Sequence, residues 1–139
     1  MATDFTVGGT VKLVPPVSLA QLWEVTERGP FTVAPYGISG AELTALVKSA
    51  MWVLVPDTDS GIDDQGRPRA IKELRVSDPG VQSPQVNDRL KALSGWMGEA
   101  HEFDGELKFQ GDVEGEAGWI EPYEDGELPE WHWTGGRSW

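Results

Sequence analysis

Apolar and polar residues alternate most cleanly over residues 101–113. Phe103, Gly105, Leu107, Phe109, Gly111 and Val113 hold one set of positions; Glu102, Asp104, Glu106, Lys108, Gln110 and Asp112 hold the other. Side chains on an extended strand point alternately to opposite faces, so this segment predicts a half-buried strand of an antiparallel sheet. Its outer face carries four carboxylates and one lysine. A different period governs Val86, Leu90, Leu93 and Met97, which recur at helical spacing after Ser83-Pro84, a cap residue followed by a proline that suits the first helical turn. Gly95 and Gly98 mark where that helix frays and stops.

Elsewhere the pattern is shorter. Thr6 to Val14 is β-branched and reads as a strand broken by Pro15-Pro16. Ser18 caps a helical turn through Leu19, Leu22 and Trp23 that closes near Gly29-Pro30. Ser39 to Glu42 has the form of a capping box, yet Met51 to Val55 is a strand-like apolar run, and no turn residue separates the two. The reading is a helix over 40–48 feeding a strand over 50–56. The stretch 57–67 is turn chemistry. A strand from Arg69 to Val76 follows, stopped by Asp78-Pro79-Gly80. These elements predict an α+β fold: an antiparallel sheet of about five strands with one or two helices packed on one face. Residues 1–134 form one domain and 135–139 a flexible C-terminal tail.

Asp125-Gly126 is a tight-turn signal inside 119–133 and sets a definite register. With those two residues at the centre, Glu124 faces Glu127, Pro122 faces Pro129 and Glu121 faces Glu130. Directly opposed glutamates are unfavourable by some tenths of a kcal/mol each, and prolines remove ladder donors. Either the hairpin splays, or a partner or cation offsets the repulsion.

Charge sharpens this picture. The net charge is −12 over 139 residues; residues 101–139 hold eleven acidic and two basic groups, which is −9 of that total. Such a field repels nucleic-acid phosphates and favours basic partners, which excludes direct DNA or RNA binding. No stretch approaches the roughly 18 apolar residues of a membrane span, and the first residues lack a signal-peptide pattern. The absence of cysteine removes disulfides and thiolate chemistry, and a cytoplasmic setting is expected. Residues 57–63 (DTDSGID) begin like a calcium loop. The glycine comes one place early, however, and Pro68 stands where a bidentate glutamate belongs. His101 and His132 each lie near a carboxylate, but no metal-spaced or nucleophile motif surrounds them, so no cofactor, metal or catalytic residue is expected.

Three stretches carry a resemblance: Gly9 to Pro16, the acidic loop at 57–66, and His101 to Leu107 leading to Gly111 and Trp119. In these, about a third of the chain, the layout resembles a group of uncharacterised small proteins of actinobacteria and their phages. The Gly-rich ending and the prolines at 122 and 129 depart from that group. The resemblance implies a phage-related setting and brings no activity with it.

The functional expectation is a non-catalytic module binding a basic protein surface or a DNA-binding protein. Its partner-binding residues are Glu102, Asp104, Glu106 and Asp112 on the alternating strand, and Glu121, Glu124, Glu127 and Glu130 on the hairpin. Trp131, Trp133 and Trp139 supply aromatic anchors. Carboxylates at i and i+2 of a strand are about 6.6–6.8 Å apart, near the phosphate spacing of one DNA strand, so imitation of DNA is one version. A structural subunit of a virion-like assembly and a small acid–base enzyme are the alternatives.

Overall fold

The computed structural model describes residues 4–22, 26–27, 29–111, 116–122 and 129–134. The strands are β1 (Asp4–Ser18), β2 (Thr32–Val33), β3 (Trp52–Pro56), β4 (Ala70–Gln82), β5 (Glu102–Gly111), β6 (Ala117–Glu121) and β7 (Glu130–Trp133). The long helices among the described residues are α1 (Gly40–Ala50) and α2 (Ser83–Met97), with short 3₁₀ turns at Leu19–Leu22 and Thr58–Ser60. All seven strands join one sheet in the order β2-β3-β4-β1-β5-β6-β7. The β2–β3 pair is parallel and the other pairs are antiparallel. No helix among the described residues is long and apolar enough to cross a membrane.

The sheet therefore has seven strands, not about five. β2 is the strand the sequence concealed. Its two residues carry no period, and they are held by their parallel register against Val53 and Leu54. The strands β1 and β4 also run through the prolines expected to stop them. Against β4, Lys12 faces Glu73 but Val17 faces Ile71, so the intervening residues bulge out of that ladder and take Pro15 and Pro16 with them. A second shift, between Phe5 and Val7, accommodates Pro79 in the same way, and Asp78 accepts the Gly80 N–H at 3.1 Å. A proline placed at a bulge removes no ladder bond.

Strand alternation splits the interior in two. Trp52 and Leu54 of β3 join the main core with Val11, Leu74, Leu107, Ile120 and the α2 stripe Val86, Leu90, Leu93 and Met97. Val53 and Val55 point the other way, into a smaller cluster with Ala34 and with Leu43 and Val47 of α1. The two helices thus lie on opposite faces of the sheet, which corrects the expectation that they share one. Packing supplies the reason. β3 is apolar on both faces and buried throughout, so each face needs its own cover.

The join between α1 and β3 is a single residue. Met51 takes φ 71° and ψ −45°, donates its N–H to Val47 O, and accepts at its carbonyl from Ser77 N–H. A methionine in the left-handed region is unusual. Helix and strand abut without a recognisable turn residue because this side chain bears the strain that a glycine would avoid.

Candidate functional site

α1 packs against β3 and β4; on the same face β5 presents Glu102, Asp104, Glu106 and Lys108 to solvent, while Trp119, Glu121 and His132 of β6 and β7 are half-buried. The ladders place the residues of this open face. Asp104 stands beside Lys12, Glu106 beside Thr10, and Lys108 between Gly8 and Trp119. Lys12 also faces Glu73 on its other side. On β6 and β7, Trp119 faces His132 and Glu121 faces Glu130. One step beyond the Leu107–Ile120 pair, the β5–β6 register brings Glu106 level with Glu121. Carboxylates therefore line both directions, about 6.7 Å apart along β5 and about 4.8 Å apart from strand to strand.

Glu121 and Glu130 are opposed as the Asp-Gly turn predicts, and the ladder beside them is intact rather than splayed. Two details remove the apparent conflict. Thr134 N–H donates to Ala117 O at 3.0 Å, which fixes the hydrogen-bonded positions as 117/134, 119/132 and 121/130. By the same alternation Pro122 and Pro129 fall at a non-bonded position, so neither removes a bond from this pair of strands. The second detail is His132. Its Nε2 is shielded from water and has no hydrogen-bond partner among the described residues. It lies 3.5 Å from Glu121 Oε1 and 3.8 Å from Glu130 Oε1. The ring nitrogen thus lies near both opposed carboxylates. The imidazole stacks on Trp119 with centroids 5.0 Å apart and planes 12° apart, and Trp119 Nε1 donates to Glu121 Oε1 at 3.4 Å.

The structure brings Glu102, Asp104, Glu106, Glu121 and Glu130 onto one face. Asp112, Glu124, Glu127, Trp139, the tail 135–139 and the Asp125-Gly126 turn lie outside the described residues. Trp131 and Trp133 belong to the opposite face, which corrects their grouping with the carboxylates. Trp131 Nε1 donates to Asn87 Oδ1 of α2 at 2.7 Å, and its ring meets Phe5 and Phe109. Trp133 packs on Phe109 at 4.8 Å and stays 49% exposed. Odd and even positions of a four-residue strand cannot share a side. The aromatic pair on the acidic face is instead Trp119 with His132. The turn register already implied it, because counting outward from Asp125-Gly126 sets those two residues opposite each other.

The other sequence motifs resolve locally. Asp57 accepts from Asp59 N–H and Ser60 Oγ, and Asp63 accepts from Gln65 N–H and Arg67 N–H. These loop carboxylates are engaged by the chain itself. The Arg67 N–H, above all, holds the Asp63 carboxyl below its ordinary range, and the Gln65 N–H and the Arg67 guanidinium act in the same direction. Among the described residues no group of three or more His, Cys, Asp or Glu side chains is placed to hold a metal ion. His101 Nδ1 lies 2.7 Å from Pro15 O and ties the start of β5 to the β1 bulge.

Comparison with protein-family models, curated proteins and solved structures finds no match.

Proposed function

We propose that this chain is a non-catalytic interaction module that holds a basic protein surface against the open face of β5, β6 and β7. One observation carries the reading. The register that buries the apolar alternates sets five carboxylates on one face of three adjacent strands, with Glu121 and Glu130 beside the Trp119–His132 stack. Glu102, Asp104, Glu106 and Glu130 are exposed. Carboxylates beside an aromatic stack suit arginine and lysine side chains, whose cations pair with the carboxylates while their stems lie against the rings.

Lys12 and Lys108 stand within the same face. A protein partner can answer both signs of charge, whereas an imitation of DNA gains nothing from two cations in its row. The protein-surface reading is therefore preferred to mimicry.

The test is a pull-down from bacterial lysate with the wild type and a variant carrying E102Q, D104N, E106Q and E130Q. Each bait is run at low and raised salt, with and without competitor DNA. A partner held by the wild type alone and released by salt, but not by DNA, is the expected result. Equal capture by both baits refutes the proposal, and displacement by DNA moves the reading to mimicry.

A further inference from the structure

β7 is the last strand of the sheet, and among the described residues no strand lies beyond it. Its bonded positions toward β6 are Glu130 and His132, by the phase that the Thr134–Ala117 bond sets. The β5–β6 ladder confirms that phase independently. Gly111 N–H donates to Glu116 O, which turns Gly118 and Ile120 toward β5 and leaves Ala117, Trp119 and Glu121 for β7. The main-chain N–H and C=O groups of Trp131 and Trp133 consequently point away from β6, toward the side on which no described strand lies. Pro129 has the same parity, so its missing N–H falls on the edge side.

Three properties meet at this edge. Among the described residues no strand pairs with the donors and acceptors of these two edge positions, which suit another extended chain. On the core side, the Trp133 ring is half exposed next to Phe109 and Phe5. On the other side stand Glu130, Glu121 and the His132–Trp119 stack. A strand laid antiparallel to β7 would place its bonded residues opposite Trp131 and Trp133, with those side chains over the aromatic rings. Its alternate residues would fall opposite Glu130 and His132, on the acidic side. Shape asks for apolar residues at the first set, and charge complementarity asks for lysine or arginine at the second.

We infer that β7 is a docking edge for an extended segment of a partner protein that alternates apolar and basic residues and adds as an eighth strand. The basic half of this description rests on the proposed function above. The strand geometry does not. At the opposite end of the sheet, β2 has two residues and no aromatic side chain, so β7 is the edge that offers both main-chain bonds and side-chain recognition.

The test uses the full chain and a short synthetic peptide alternating lysine and valine. In the docked register the valine amides face β7 and the lysine amides face solvent. N-methylation of the valine nitrogens is expected to weaken binding about tenfold or more, while N-methylation of the lysine nitrogens leaves it nearly unchanged. Hydrogen exchange at the Trp131 and Trp133 amides should slow when the unmodified peptide is added. Equal binding by both methylated peptides, with unchanged exchange at those amides, refutes strand addition and leaves the basic-partner reading standing. A peptide with threonine in place of lysine separates the remaining case. If it binds as tightly and protects the same amides, the edge is confirmed and the basic requirement falls. Amides already protected in the free protein, at any protein concentration, would mean that a second copy or the chain itself fills the edge, and would overturn the inference.

Discussion

Asp78 offers the sharpest quantitative test of how the β3–β4 region is held. It is only 5% exposed and accepts from three donors: Trp52 Nε1 at 2.8 Å, Gly80 N at 3.1 Å and Arg89 Nη1 at 3.4 Å. The Arg89 guanidinium lies 5.1 Å from the Trp52 ring centroid, so cation, ring and carboxylate form one cluster joining β3, β4 and α2. Replacing Asp78 by Ala leaves a fully buried indole N–H without an acceptor, at a cost of about 1–3 kcal/mol. It also removes the partner of a mostly buried cation, and breaking such pairs costs about 3–5 kcal/mol in all. D78A is therefore expected to lose about 3–5 kcal/mol, a large share of the roughly 5–15 kcal/mol that stabilises a domain. W52F removes the N–H and keeps most of the ring, so in that background D78A should cost about 1–2 kcal/mol less. Urea unfolding followed by far-UV circular dichroism at neutral pH gives all four corners of the cycle. A D78A loss below about 0.5 kcal/mol with an unchanged slope, or a cycle that is additive, would refute the assigned role of the Trp52–Asp78 bond.

Three further outcomes are expected. At position 51 the usual ranking should invert: M51G should be more stable than M51A by about 1 kcal/mol in thermal unfolding, because only glycine adopts φ 71° without strain. G118A should loosen the β6–β7 pair, since an added Cβ would collide with the His132 carbonyl. A loss of about 1–3 kcal/mol, with faster amide exchange at Trp119 and His132, is the signature to look for. Asp63 titrates below its ordinary value of 3.8. Its contribution is thus complete above that value and is lost as pH falls through the lower folded value. Proteolysis of the 57–69 loop at low pH should accelerate in the wild type, whereas D63N should be labile already at neutral pH.

The long, strictly periodic segments were legible because one physical demand shaped them. The α2 stripe and the β5 alternation each bury one face and wet the other, so period and burial coincide. The β6–β7 register was legible from the Asp-Gly pair alone, even to the opposition of Glu121 and Glu130. Legibility failed where neighbours decide. Pro15, Pro16 and Pro79 looked like strand ends until the bulges took them out of the ladder. β3, apolar on both sides, concealed that α1 and α2 must lie on opposite faces. Trp131 and Trp133 were grouped with the acidic residues by nearness in sequence, although strand parity turns them toward α2. The nearness of His132 to both Glu121 and Glu130 follows from the same register.

β1 precedes the other described strands along the chain and ends up in the middle of the sheet. Asp4 meets Gln82 on one side and Phe5 meets Gly111 on the other, so neither ladder can close until most of the chain exists. Its apolar face has to wait, with Phe5, Val7, Val11 and Leu13 all destined for the core. Contacts this distant in sequence make for slow assembly, because loop closure precedes any compensating gain. During synthesis the elements able to form before those ladders are local ones such as α1 and the β3–β4 hairpin. The acidic strand β5 and its neighbours arrive last and cover the second edge of β1, whose first edge β4 can already have paired. A chain interrupted before residue 102 would leave β1 with one bare edge and an uncovered core, a species prone to aggregation.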